Sequence, residues 1–490
     1  MQLSILTIII FIPLVAGLAI LLLPAERRNA IRITALVASV VTFLLTLWVF
    51  FSYDAAAGGY QFVQKVPWLP AFGISYYVGV DGISTPLLLL AGVVLMTGVM
   101  ISWRVEDRPR EFFAFMLFLG TSVLGVFSSL DLFMLFFFFE LAIFPKYLMI
   151  VIWGYPKTRE YGAMKLTLYL FVGSVVALVG VLAMYFASGL HTFDLIALEG
   201  AGFSAAFQKL WFPVVFLGFA VLAGIFPFHS WAPDGHVAAP TAVSMLLAGV
   251  EMKVGAFAAL RVAIELMPEG ARAWSWLILT LATINVVYGA YIALIQTDFK
   301  YVIGFSSVSH MGLVLIGFAS LNHDGLVGAG MQMFSHGIMT ALFFSVVGMV
   351  YDRAHTRDIA KLGGLFKKMP IAAIGFIIAG LVSMGMPGFS GFVSEFPIFM
   401  GAWQAAPVVA IVAVLGVIIT AAYILRVVGK VFFGEISPEL DAAVTDVSVL
   451  DKISVILLST MMVVIGVFPS VMSTVVESGV THVLSLLGGM

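Results

Sequence analysis

Seven ionisable side chains stand inside long apolar runs, where a charge at mid-helix disfavours insertion into a membrane by about 2.5 to 3.5 kcal/mol. Glu140 lies within LFFFFELAIFPK, Glu251 and Lys253 within AGVEMKVGAF, and Glu395 within GFSGFVSEFPIF. Lys146, His310 and His336 form a second rank in comparable surroundings. Carboxylates, lysines and imidazoles spaced through a membrane serve proton relays and ion paths. The competing reading is structural, an ion pair or a side chain that snorkels to the surface. Lys146 exemplifies it: six residues after Glu140, it stands about 9 Å further along a helix and within reach of a membrane face.

The elements that position these groups follow from composition. The chain has 490 residues, of which 62% are hydrophobic and only 10% charged, against about 25% charged in a soluble domain. With roughly 20 residues per span and short loops, that length accommodates about fourteen transmembrane helices. Apolar runs place them at 3–23, 31–51, 80–103, 111–129, 132–152, 163–187, 211–228, 240–266, 274–296, 301–320, 326–350, 371–396, 407–430 and 453–473. The predicted fold is an all-α polytopic membrane protein. Segment 2–23 lacks a basic leader and a small-residue cleavage site, and reads as a retained first span.

Lys and Arg mark the orientation. Arg27, Arg28, Arg104, Arg108, Lys157, Arg357, Lys361, Lys367, Lys368 and others occupy alternate loops, whereas the intervening loops hold only Lys65, Lys209 and Arg272. Both termini are thereby placed on the non-cytoplasmic side of a cell inner membrane. Arg261 and Arg426, near helix ends, read as structural.

Helix breakers lie at membrane depth. Span 7 carries Pro227 in GIFPFHSWAP, span 12 carries Gly385, Pro387, Gly388 and Gly391 in SMGMPGFSGF, and span 11 carries His336 and Gly337 in GAGMQMFSHGIMT. Broken backbone at this depth is tolerated only inside protein or beside a wet cavity, so spans 7, 11 and 12 are predicted to be discontinuous. Breaks in spans 7 and 12, which run in opposite directions, suggest two inverted five-helix repeats. The chain divides into 1–110 (spans 1–3), 111–266 (first repeat, spans 4–8), 267–433 (second repeat, spans 9–13) and 434–490 (loop, span 14 and a C-terminal tail).

Other chemistries are poorly served. A net charge of −2 gives no footprint for nucleic acid, zero cysteines rule out thiolate-held metals and iron–sulfur clusters on this chain, and no flavin, nicotinamide or haem motif follows a strand.

The segments FFFFELAIFPKYLMIVIWG, FHSWAPDGHVAAPTAVSMLLAGVEMKVGAFAALR, QTDFKYVIGFSSVSHMGLVLIGF, MFSHGIMTALFF and GMPGFSGFVSEF together resemble the antiporter-like M-type subunits of proton-pumping NADH:quinone oxidoreductase, respiratory complex I, from about residue 80 to 435. The resemblance implies a subunit that moves protons along a central row of buried groups while redox chemistry proceeds in other subunits. Glu140 matches the family's carboxylate on span 5, Lys253 its central lysine on span 8, His336 its histidine on span 11 and Glu395 its glutamate on span 12. His229, His236 and His310 match further polar-axis or entry positions. It further implies L-type and N-type antiporter-like neighbours, small membrane subunits and a peripheral redox arm as partners. FMN, iron–sulfur clusters, NADH and quinone then belong to the whole complex, with no cofactor, metal or redox active site on this chain. Two relatives stay open: the equivalent subunit of a cation/proton antiporter or membrane-bound hydrogenase, and a form that has lost pumping.

Departures from the family pattern favour neither side at this stage. Leu222 stands where the family has a lysine on span 7, and Ala238 where it has an acidic residue, while Lys146 and Glu251 occupy positions that are normally uncharged. Relocated charge is one expectation, with Lys146 paired to Glu140 or to Glu251; a modified or inactive input half is the other.

Overall fold

Apolar helices satisfy their own backbone in a medium without water, and this accounts for most of the architecture. The computed structural model describes residues 4–488. Among them thirteen helices are long and apolar enough to cross a membrane, and span 12, in the two pieces Pro370–Ser383 and Ser390–Ala405, supplies a fourteenth crossing. The spans that matter most below are span 5 (Leu132–Trp153), span 8 (Thr241–Ile264), span 10 (Phe299–Ala319) and span 11 (His323–Ala354). Spans 3, 4, 8, 10 and 11 are enclosed by the rest, which leave apolar faces outward. Glu251, Lys253, His310 and His336 therefore sit on enclosed helices, whereas Glu140 and Lys146 on span 5 and Glu395 on span 12 stand on helices that also carry an outward apolar face.

Short loops are closed by side-chain caps. Asp131 accepts from the N–H groups of Phe133 and Met134 at the start of span 5, and Asp298 does the same for Lys300 and Tyr301 at the start of span 10. Such caps satisfy the free donors of a helix N-terminus.

The expected break in span 11 needs correction, whereas the all-α polytopic fold stands, with an addition outside the spans: β1 (Gln61–Leu69) and β2 (Ile74–Val80) form an antiparallel hairpin, and span 3 starts at Ser84. Aromatic and β-branched residues favour strands there, and Gly73, at φ +67°, makes the turn that a side chain would resist. The hairpin is pinned by Asp131, which accepts the Ser75 N–H at 2.9 Å.

Span 11 is one unbroken 32-residue helix. It contains no proline to remove a donor and clash with the preceding turn. Gly337 serves close packing instead, since a Cβ there would meet Gly249 O at 2.7 Å and Leu90 at 2.5 Å.

Span 5, expected to be regular, is interrupted at Ala142 between Leu132–Leu141 and Ile143–Trp153, with Pro145 just beyond. The C-terminal tail is largely the helix Ser470–Leu486, which follows span 14 after Phe468 and Pro469. It packs beside residues 82–83 and against span 11, so that it covers the face carrying the hairpin. That face is called the hairpin face below, and the opposite one, lined by the Lys- and Arg-rich loops, the basic face.

Candidate proton-transfer axis

Backbone interruptions bring the first polar groups together. Span 7 leaves helical geometry after Ala223 and resumes as Trp231–Ala238, with Gly224 at φ +80°. Asn285 of span 9 spans the gap, donating to Gly224 O at 2.7 Å and accepting from Phe226 N–H at 2.5 Å. Trp231 Nε1 donates to Val221 O at 2.8 Å. The freed backbone is thus satisfied inside protein. An Asn285→Ala variant strands two buried backbone groups, and the expected loss is about 1 to 3 kcal/mol for each, measurable as a lower melting temperature of the purified assembly.

The break and the resumed helix carry one histidine each, His229 in the turn and His236 on the helix. His229 lies between the rings of Phe226 and Tyr288, at 5.6 and 5.2 Å. His236 is fully buried, beside Trp231 and Phe344, and neither ring nitrogen has a hydrogen-bond partner.

Lys146 does not snorkel. It is 1% exposed, and its ammonium forms a salt bridge with Glu251, itself 1% exposed, across spans 5 and 8. Glu140 is partly buried, has one buried oxygen without a partner, and lies within electrostatic reach of Lys146. One buried cation is therefore held by Glu251, with Glu140 on the cation's own span within its Coulomb field. The π-helical turn Leu247–Glu251 presents Glu251 toward span 5. Such turns recur at functional sites because the extra residue re-aims side chains.

Lys253, two residues on, is fully buried and faces no carboxylate; its ammonium donates to Ala248 O. Beyond it lie the histidines. His336 and His310 stack with centroids 5.4 Å apart and an interplanar angle of 10°. His310 Nε2 is 3.6 Å from Glu395 Oε1 and 3.1 Å from Ser383 O. Glu395 accepts from Gln332 Nε2 at 3.0 Å, and Ser394 holds the same glutamine through its Oε1 at 2.5 Å. The break in span 12 makes room: Gly385, at φ +63°, sits where a Cβ would come within 3.1 Å of Glu395 Oε2.

Three contributors escaped the sequence reading. Asn285 and Gln332 are uncharged, so no cost of burial drew attention to them. Lys300 reads as a loop residue because it follows a helix cap, yet it is 6% exposed and donates to Ala239 O at 2.6 Å. It lines a cavity of about 260 Å³ at the basic face, together with Thr241, Asp352 and Arg357. Charge in an otherwise apolar span was the usable signal for Lys300, and its proximity to Asp298 masked it.

Arg261 stands in the last turns of span 8, as its place near a helix end predicts. It is 2% exposed and bridges Asp81 and Glu265.

Comparison with known proteins accords with this arrangement. The family model for NADH:quinone oxidoreductase/Mrp antiporter transmembrane subunits matches residues 129–420. The chain is 38% identical to NADH-quinone oxidoreductase subunit M of Rhodobacter capsulatus, covering 98% of this chain and 96% of that one. Against the subunit M of Rickettsia conorii it is 36% identical over 99% of each. Among solved structures, a chain of respiratory complex I from Thermus thermophilus with bound NADH is 31% identical, with a TM-score of 0.90 over 99% of this chain and 100% of that one. A chain of the Mrp complex from Dietzia sp. shares the fold at 19% identity and a TM-score of 0.86, covering 99% of each. The chain belongs to the NADH:quinone oxidoreductase/Mrp antiporter family of transmembrane subunits, on its M-subunit branch.

Proposed function

We propose that this chain is the M-type, proton-translocating membrane subunit of an NADH:quinone oxidoreductase, and that Glu140, Lys146, Glu251, Lys253, His336, His310 and Glu395 carry its protons. The observation that carries this reading is the row itself: ionisable groups on spans 5, 8, 10, 11 and 12, buried together in the middle of an apolar molecule. The cavity at Lys300, with His236 and His229 beyond it, is the entry from the basic face. Segments 111–266 and 267–433 act as two opposed halves around the row, a reading supported by the breaks in spans 7 and 12. The chain sits in the cell inner membrane with the basic face toward the cytoplasm and both termini outside.

Energetic scale supports an ion-pair switch. Moving one charge against about 180 mV requires about 4 kcal/mol. Opening an ion pair from contact to about 8 Å changes its Coulomb energy by about 3 kcal/mol at an effective dielectric of 20. Movement of Lys146 between Glu251 and Glu140 therefore supplies most of the step, and altered hydration of Lys253 the remainder. A full complement of first-half carboxylate and lysine, supplied by Lys146 and Glu251 despite Leu222, favours working transfer over a form that has lost it.

Redox energy comes from partners: L-type and N-type neighbours, small membrane subunits and a peripheral arm with FMN and iron–sulfur clusters that passes electrons from NADH to quinone. The test is purification of the tagged chain. Copurification with flavin and iron–sulfur subunits, and a pH gradient on NADH addition after reconstitution, is the expected result. Copurification with small membrane subunits alone, without flavin, contradicts it.

A further inference from the structure

Past Lys253, Phe257 and Arg261 follow on span 8 in four-residue steps toward the hairpin face, and Glu265 caps its end outside the span. A second π-helical turn, Ala259–Ile264, surrounds Arg261. At its end the guanidinium bonds Glu265 Oε1 at 2.8 Å through Nη1 and contacts Asp81 through Nη2. It also lies over the rings of Phe257 and Tyr60, at 5.1 and 5.6 Å. Glu265 is 2% exposed, and its Oε2 is buried without a hydrogen-bond partner. From the outside His482 of the C-terminal helix closes the cluster, with Nε2 at 3.3 Å from Glu199 Oε2 and its ring 5.8 Å from that of Tyr60. The His482 side chain is 31% exposed, against 0% for Glu265.

We propose that the cluster of Asp81, Glu199, Arg261, Glu265 and His482 is a proton-exchange site between span 8 and the aqueous phase at the hairpin face, with Glu265 as the group that holds the proton. The inference rests on the reading of Lys253 as part of the proton path.

Charge count is the first argument. Two carboxylates, Asp81 and Glu265, share one guanidinium, while a third, Glu199, faces His482, and like charges crowded in a dry setting retain a proton. Asp81 is not its holder: burial disfavours the carboxylate, but Arg261 and the N–H and hydroxyl of Ser84 keep it below the usual range. Burial pushes Glu265 up to about 7, with Arg261 opposing and Asp81 and Glu199 adding to the rise. The bond to Glu199 raises His482 above its ordinary value, with burial and Arg261 opposing and Glu265 assisting. Tyr60, held well above its usual range chiefly by burial, stays neutral.

Exposure is the second argument. When Glu265 Oε2 accepts a proton, the N–H bond of the donor on span 8, the Lys253 ammonium, breaks and a carboxyl O–H forms; on release that O–H breaks as the base at the rim, the His482 imidazole or the Glu199 carboxylate, bonds the proton and passes it to water. A purely structural ion cluster needs neither an unpartnered carboxylate oxygen nor a half-exposed imidazole at its rim.

Exchange with the hairpin side makes transport sensitive to pH on that side alone. Below about 7 the Glu265 carboxyl is already protonated and accepts nothing from span 8, so the rate falls as hairpin-side pH drops through that value. The experiment uses the whole complex in proteoliposomes with pH set independently on the two sides. Glu265→Gln is expected to slow NADH-driven proton transport about tenfold or more, to flatten the hairpin-side pH profile, and to remove one protonated-carboxyl band from infrared difference spectra. Glu265→Asp is expected to restore profile and band. Should Glu265→Gln not assemble, His482→Gln reads the same profile, with a slowed, flattened response expected. A wild-type rate and profile in either variant, while Lys253→Ala abolishes transport, overturns the exchange site and leaves the axis standing. Unchanged transport in Lys253→Ala removes the axis itself.

Discussion

Replacing Lys146 with leucine in the intact complex is expected to lower NADH-driven proton translocation at least about tenfold, and to weaken the fold, since removing one partner of a buried ion pair costs about 3 to 5 kcal/mol. Glu251 would be left in a dry setting without its cation. A carboxylate there either takes up a proton or destabilises the subunit, and both outcomes remove the switch. Glu251→Gln is expected to produce the same transport defect from the other side, with Lys146 then drawn to Glu140. The double variant Lys146→Met/Glu251→Leu separates the two consequences: assembly and melting temperature recover, because well-packed apolar replacements of a buried pair are often neutral or stabilising, whereas transport does not. A snorkelling Lys146 would make the single variant silent in both assays.

The second large effect belongs to Glu395. Glu395→Gln keeps the volume and still accepts from Gln332, so the break in span 12 and the fold around it are expected to persist. The variant cannot bind and release a proton, and a loss of about 100-fold in transport is expected, in line with removal of a positioned acid–base group. Gln332→Leu is expected to act more weakly, about tenfold, because Glu395 loses its donor while keeping its titrating oxygen and its approach to His310 at 3.6 Å. Dye-reported acidification of vesicles, with electron transfer recorded in parallel, distinguishes these from failed assembly.

The sequence made the deep charges legible because burying them is costly. Glu140, Glu251, Lys253 and Glu395 announced themselves against runs of Phe, Leu and Val, and Pro227 and the glycines of SMGMPGFSGF marked where spans 7 and 12 leave the helix. Pairing was not legible. The contact between Lys146 and Glu251 depends on how spans 5 and 8 face one another, and the π turn that rotates Glu251 toward span 5 has no local signature. Lys146 was accordingly readable equally as a snorkelling side chain. Gly337 misled for a related reason: a glycine in a helix marks either weak backbone or close packing, and only the neighbours Gly249 and Leu90 decide between them. The hairpin and the C-terminal helix were submerged in segments judged by polarity alone. Arg261, close to a helix end, reads as structural from the sequence, but its partner Asp81 lies nearly two hundred residues earlier and only the fold places it alongside. Neutral partners such as Asn285 and Gln332 acquire meaning only from the groups they touch.

The claim that this row of buried groups moves protons is tested most directly at Lys253, which is fully buried, faces no carboxylate and lies between the Lys146–Glu251 pair and the stacked histidines. The measurement is the number of protons translocated per electron by the reconstituted complex carrying Lys253→Ala, with assembly verified and NADH oxidation followed at the same time. A lowered proton-to-electron ratio, or transport and electron transfer falling together in an assembled complex, is the predicted result. An assembled Lys253→Ala complex with the wild-type ratio and rate would contradict the account.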